Sequence, residues 1–155
     1  MGTTQEKDLD GFVEKSVSDE TGELVIDSTL ERVIKLASLG EGNRIEFKIA
    51  SHGVHDDVFE TICSFGNGLG GDILLGVNDD GVVVGMSEEA IESSKRDVKS
   101  FCSAKGFFSA PVRVGVAEHI VNGHRVLHIR VPKAPAKLQY KGVAYIRRGD
   151  ADYKD

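Results

Sequence analysis

Cysteine is scarce in this chain. Cys63 and Cys102 are the only two, neither has the spacing of a metal site, and both fall where apolar periodicity predicts amphipathic helices, so buried reduced thiols are expected. No run approaches the roughly 20 apolar residues of a membrane helix. The first ten residues are polar and charged where a signal peptide would have an apolar core, so a soluble, cytoplasmic protein with no membrane partner is expected. The absence of Gly-Lys-Ser/Thr excludes a P-loop, and without Gly-x-Ser-x-Gly there is no nucleophile elbow. Internal repeats and low-complexity tracts are missing too. A net charge of −6 argues against a protein that coats nucleic acid.

Glycine is what the chain has in abundance, and most of the functional argument lies where it is densest. Residues 65–85 contain four glycines between Gly66 and Gly71, then an apolar stretch at Asp72–Val77, an Asp80-Gly81 turn and a short Val82–Val84 stretch. This predicts a helix, a tight turn, a buried strand, a hairpin and a second strand. Gly66-x-Gly68-x-Gly70 resembles a dinucleotide fingerprint only superficially, because it follows a helix and opens a strand, the reverse of that motif. Asn67, Gly70, Gly71, Gly76 and Gly81 are therefore expected to serve the turns, with Asn67 tying its turn by side-chain hydrogen bonds.

Residues 1–27 are polar and acidic, and a mobile tail with a brief strand at Leu24–Ile26 is expected. The folded domain is expected over 28–150, with 151–155 as a C-terminal tail. Leu30, Val33, Ile34 and Ala37 predict a short helix closed near Gly40, and Arg44–Lys48 alternates like a strand. Val58, Phe59, Ile62, Cys63 and Phe65 mark a second helix. Ser87 is placed to cap a third, running to about Ala104. Alternation on either side of Asn122-Gly123 predicts a hairpin, and a last hairpin turns at Lys141-Gly142. The result is an α+β fold, a mixed central sheet with hairpins and about three packed helices.

Charge is unevenly spread. Residues 123–155 hold 8 basic and 3 acidic residues, although acids outnumber bases before them. Lys137, Tyr140, Lys141, Tyr145, Arg147 and Arg148 interleave basic and aromatic side chains on the last hairpin, a pattern that can lie along phosphates with rings for stacking. The alternative is an edge hairpin whose lysines discourage aggregation. Glu41 and Glu46 with the Asn78-Asp79-Asp80 turn form a carboxylate set able to hold a hard divalent cation if the strands bring them together; the alternative is an exposed strand residue and ordinary turn chemistry. The five histidines have no Cys or carboxylate completing a ligand set.

These pieces resemble, in order, the AlbA-like domain of Schlafen proteins. The opening Glu…Glu-Phe-Lys corresponds to Glu41, Glu46, Phe47 and Lys48, and a helix ending in Phe-Ala-Asn-x-x-Gly-Gly corresponds to Phe65–Gly71. The turn to Asp80-Gly81 and the closing Tyr-Ile-Arg-x-Gly at Tyr145–Gly149 complete the match. The resemblance implies a nucleic-acid-binding domain, DNA or RNA, in a role like that of a transcriptional regulator, contacting phosphates through the basic hairpin with help from Lys48, and pairing as a homodimer. It also implies an alternative, a metal-dependent endoribonuclease in which Glu41 and Glu46 bind Mg²⁺ or Mn²⁺. The family's aspartate falls on Asn78, a neutral and weaker ligand, and Asp79 would substitute only with a one-residue shift that turns a strand side chain to the other face. The non-enzymatic reading is preferred and carries no cofactor. A protein-interaction domain, using the acidic surface, is a further alternative. Asp150-Ala151-Asp152 departs from the family's small hydroxyl residues.

Overall fold

The computed structural model describes the backbone of residues 4–9, 12–18, 24–26 and 28–155, and side chains from residue 33 onward. The elements in chain order are β1 (Thr4–Leu9), β2 (Phe12–Ser18), β3 (Leu24–Ile26), α1 (Ser28–Leu39), β4 (Ile45–Lys48), α2 (Asp56–Asn67), β5 (Gly71–Leu75), α3 (Glu88–Ser103), β6 (Gly115–Val121), β7 (His124–Val131), β8 (Tyr145–Arg148) and β9 (Ala151–Lys154). The N-terminal segment, expected as a tail apart from Leu24–Ile26, contains the antiparallel order β1-β2-β3. Leu30 lies outside the residues whose side chains are described.

A four-stranded mixed sheet of order β4-β5-β7-β6 forms the centre. Parallel pairing of β4 with β5 requires a crossover, which α2 supplies; the other pairings are antiparallel. Side chains alternate across the sheet, so Ile73, Leu75, Leu127 and Ile129 enter one core with α2 and α3, while Phe47, Leu74 and Val126 enter another with Val33 and Ile34 of α1. With both faces covered, β5 is buried along its whole length, which is why Ile73-Leu74-Leu75 is a continuous apolar run without alternation.

Local chemistry sets the element ends. Ser87 Oγ accepts from the Ala90 amide at 3.0 Å and caps α3. Asn122 (φ 54°) and Gly123 (φ 81°) make the tight β6–β7 turn with the conformation that an Asn-Gly pair favours. Lys141 and Gly142 turn in the same way, but the strand expected after them begins only at Tyr145. The last full hairpin is β8–β9, so residues 151–154, expected as tail, are strand. The Val82–Val84 stretch likewise differs from expectation: it makes a single bridge, Val83 to Val77, with the Val84 and Gly85 amides both donating to the Gly76 carbonyl.

The glycine-rich turn is a site of close approach. Gly70 has φ +85°, and a Cβ there would lie 2.6 Å from the Val131 carbonyl and 3.2 Å from the Lys133 amide. A Cβ on Gly71 would meet the Phe65 ring; Gly76 and Gly81 also take positive φ in the following turn. Asn67 is a long-range clasp and not a local turn residue. Its Nδ2 donates to the carbonyls of Leu138 (3.0 Å) and Tyr145 (2.9 Å), and its Oδ1 accepts from the Leu138 amide at 2.6 Å. One side chain thus fastens the end of α2 to the segment that leads into β8. Asn67→Ala strands three backbone groups and is expected to lower the unfolding free energy by about 2–4 kcal/mol. Urea denaturation checks this, and a loss below about 1 kcal/mol would mean the clasp contributes little.

Candidate functional site

Arg147 is the most constrained charged group in the described structure. Its side chain is 3% exposed and lies between two carboxylates, Glu46 Oε1 at 2.8 Å and Asp152 Oδ1 at 3.0 Å. Nε donates to the Gly42 carbonyl at 3.1 Å, an Nη donates to that of Ile45 at 3.2 Å, and the guanidinium lies 5.0 Å from the Phe65 ring centroid. Asp152 also accepts from Thr61 at 2.5 Å and from Ser64, both on α2. The network therefore joins β4, α2 and the β8–β9 hairpin. The guanidinium expected on a phosphate-binding hairpin here has its donors directed at groups within the chain.

The implied metal ligands are engaged elsewhere. Glu46 faces Arg147, and Glu41 Oε2 accepts from the Phe47 amide at 2.9 Å on the open edge of β4. Asn78 Oδ1 accepts from the amides of Asp80 (2.9 Å) and Val82 (3.0 Å), so Asn78 shapes the turn on which exposed Asp79 sits. Among the described residues, no three His, Cys, Asp or Glu side chains are gathered as a cation site. This donor set, with a guanidinium already against one carboxylate, does not fit a hard divalent cation.

The basic and aromatic ribbon is largely neutralised from within. Tyr140 is 2% exposed and stacks on Phe59, so its ring is closed to a nucleobase. Its hydroxyl donates to Asp56 Oδ1 at 2.7 Å, and Lys141 Nζ reaches the same oxygen at 3.0 Å. These two bonds hold the Asp56 carboxyl below the usual carboxylate range. Lys48 pairs with Asp57 at 2.6 Å, Lys137 pairs with Asp155, and half-buried Tyr145 is bonded to Glu60. The acidic first half of α2 thus complements the ribbon. Of the basic hairpin residues, Arg148 is exposed and makes only a distant contact over the Tyr153 ring, 6.0 Å from its centroid.

Arg44, Arg130 and Lys133, which sequence reasoning passed over, belong to segments that meet at the glycine turn. An Arg44 Nη donates to the Leu69 carbonyl at 3.1 Å, and Lys133 follows the backbone that packs on Gly70. Arg130 is paired in register with Asp72, whose buried carboxylate also lies 2.7 Å from His128 Nε2. Arg148 precedes Gly149, whose amide donates to Asn43 Oδ1 at 2.6 Å, next to Arg44. No spacing in the sequence links these positions, because they come from three separate segments.

Burial pushes the Glu46 carboxyl up to about 7, against the pull of Arg147. In the unfolded chain, with an ordinary value of 4.5, this carboxyl loses its proton first as pH rises, so its contribution to stability is lost as pH climbs towards 7. Glu46→Gln keeps an acceptor for Arg147 and is expected to flatten that pH dependence in urea titrations between pH 5 and 8. Glu46→Ala leaves Arg147 with one fewer buried counter-charge and is expected to cost about 3–5 kcal/mol. A neutral effect of Glu46→Ala in the same titrations would mean the pair is not formed.

Comparisons with known proteins agree with this architecture. The Schlafen, AlbA_2 family matches residues 41–154. The chain is similar to the solution structure of the N-terminal domain of a RecG-related protein, described in connection with an ATP-dependent DNA helicase, from Nitrosomonas europaea. That similarity has 28% identity and a TM-score of 0.56, covering 76% of this chain and 86% of that one. A crystal structure of a Corynebacterium diphtheriae protein shares the fold, with a TM-score of 0.51 and 18% identity over 83% of this chain and 27% of the other. No curated protein matches the sequence. The ordered match from the Glu41 edge plug to the β8–β9 hairpin covers most of the folded chain, and the protein belongs to the Schlafen AlbA_2 family.

Proposed function

We propose that this chain is a nucleic-acid-binding domain, for DNA or RNA, with no hydrolytic activity of its own. The observation that carries the proposal is family membership over residues 41–154, together with similarity to the domain of the RecG-related protein. Electrostatics supports it despite the net charge of −6. Most acidic groups near the C-terminal ribbon are consumed by internal pairs, whereas Arg44, Lys133 and Arg148 have no ion-pair partner among the described residues. Phosphate binding is driven by counterion release and needs such locally unneutralised cations more than a favourable total charge. The absence of a fitting metal donor set favours binding without cleavage.

The same proposal includes a cytoplasmic homodimer, and light scattering over a concentration series tests its oligomeric part; a monomer at every concentration would remove it.

Fluorescence anisotropy with labelled duplex DNA and single-stranded RNA tests the binding. Affinity is expected to fall steeply between about 50 and 200 mM salt, with a logarithmic slope near one unit per phosphate neutralised. Probes are expected to stay intact with Mn²⁺ present. Absence of binding at low salt would overturn the proposal, and Mn²⁺-dependent cleavage would overturn its non-hydrolytic part.

A further inference from the structure

About half of the cations of the described structure have a carboxylate partner. Lys48 and Lys141 are held by the first turn of α2, and Arg125 by Glu118 and Glu88, while Arg147 is buried. At the end of the sheet where β4 and β5 begin and β7 finishes, two cations without such a partner belong to segments that meet at one turn. An Arg44 Nη donates to the Leu69 carbonyl and the Lys133 backbone amide lies against Gly70, so both residues belong to segments at the turn from Gly68 to Gly71, and neither forms an ion pair among the described residues. Arg130 extends the row across the sheet with its side chain 56% exposed, its contact to Asp72 being a long 3.4 Å. Asp72 itself is buried against His128, and Asp155 is held by Lys137. This end therefore presents positive charge with its neighbouring carboxylates already engaged.

The glycines create this arrangement. A Cβ at Gly70 would collide with the Val131 carbonyl and crowd the Lys133 amide, so glycine is what lets the segment carrying Lys133 pack on the turn. The Leu69 carbonyl fixes one Arg44 nitrogen, leaving the rest of the five-donor fork directed to solvent. A preoriented fork of this kind is suited to phosphate oxygens, which it can grip in pairs. Leu69, 68% exposed, lies in the same turn and offers its carbonyl to Arg44.

We propose that this sheet end, centred on the turn from Gly68 to Gly71 and carried by Arg44, Lys133 and Arg130, is the surface that contacts the sugar–phosphate backbone of nucleic acid, in place of the C-terminal hairpin. The proposal rests on the nucleic-acid reading above and assigns its surface. Contacts are to phosphate, so the surface binds without base specificity and its affinity follows salt.

Anisotropy titrations of the full chain at low salt with duplex DNA and single-stranded RNA test this. Lys133→Glu and Leu69→Glu are at exposed positions and are expected to fold as the wild type does, which thermal unfolding checks. Each is expected to weaken binding at least tenfold. Arg44→Ala with Lys133→Ala is expected to lower the salt slope by about two. Lys141→Ala, which removes a cation already paired to Asp56, is expected to stay within twofold of wild type. Wild-type affinity in Lys133→Glu and Leu69→Glu, or a loss confined to Lys141→Ala, would overturn the assignment while leaving nucleic-acid binding standing. Failure of the wild type to bind either probe would overturn both.

Discussion

A guanidinium that is almost wholly out of water imposes strict conditions on everything around it. Arg147 meets them with two carboxylates, two backbone carbonyls and the face of Phe65. Desolvating three charges costs roughly what their mutual attraction returns, so the network adds little net stability. Its consequence is selective: any arrangement in which β8 slides along α2 leaves Arg147 buried and unpaired, at a cost of several kcal/mol. The β8–β9 hairpin, β4 and α2 are thereby held in one register, and Asn67 repeats the same fastening with neutral groups one helix end away.

This internal use of charge explains why total charge and local sequence both mislead about the surface. The ribbon from Lys137 to Arg148 is basic as written, yet Asp56, Asp57 and Glu60 of α2 lie against it or its neighbours. Acids at the first turn of a helix are favoured by its dipole, and here they also neutralise a hairpin about 85 residues away in sequence. At the other end of α2, beside the turn that the glycines allow, Arg44 and Lys133 have no ion-pair partner among the described residues. The glycine cluster serves packing first, and the positions of Arg44 and Lys133 follow from that packing.

Glu41 and Glu46, which the family resemblance links to a cation, each bond to a group within the chain. Glu41 occupies an outward amide of the sheet's edge strand, a group that would otherwise be available to a foreign strand. Glu46 neutralises Arg147. Each role keeps a glutamate at its position without any cation, and Asn78, in the aspartate's place, satisfies two turn amides.

Much of the fold was legible in the sequence because it rests on short-range rules. The Ser87 cap, the Asn122-Gly123 turn, the apolar face of α2 and the continuous run of β5 all express constraints acting within a few residues, and each element formed where its pattern placed it. Hairpin bounds near the C-terminus were less legible: Lys141-Gly142 turns as its residues require, but whether a strand follows depends on pairing partners, and β8 finds its partner in residues 151–154. The candidate site was the least legible part. Basic and aromatic residues are visible in a sequence, but whether a charge is free depends on which carboxylate packs against it, often more than 80 residues away, as for Arg147 with Glu46 and Lys141 with Asp56. The sequence by itself determined the helices, the strands β4 to β7, the tight turns and the family, because these follow from local sterics and periodicity. Only the tertiary structure decided which charges are spent and which remain for a partner, because ion pairing depends on distance in space.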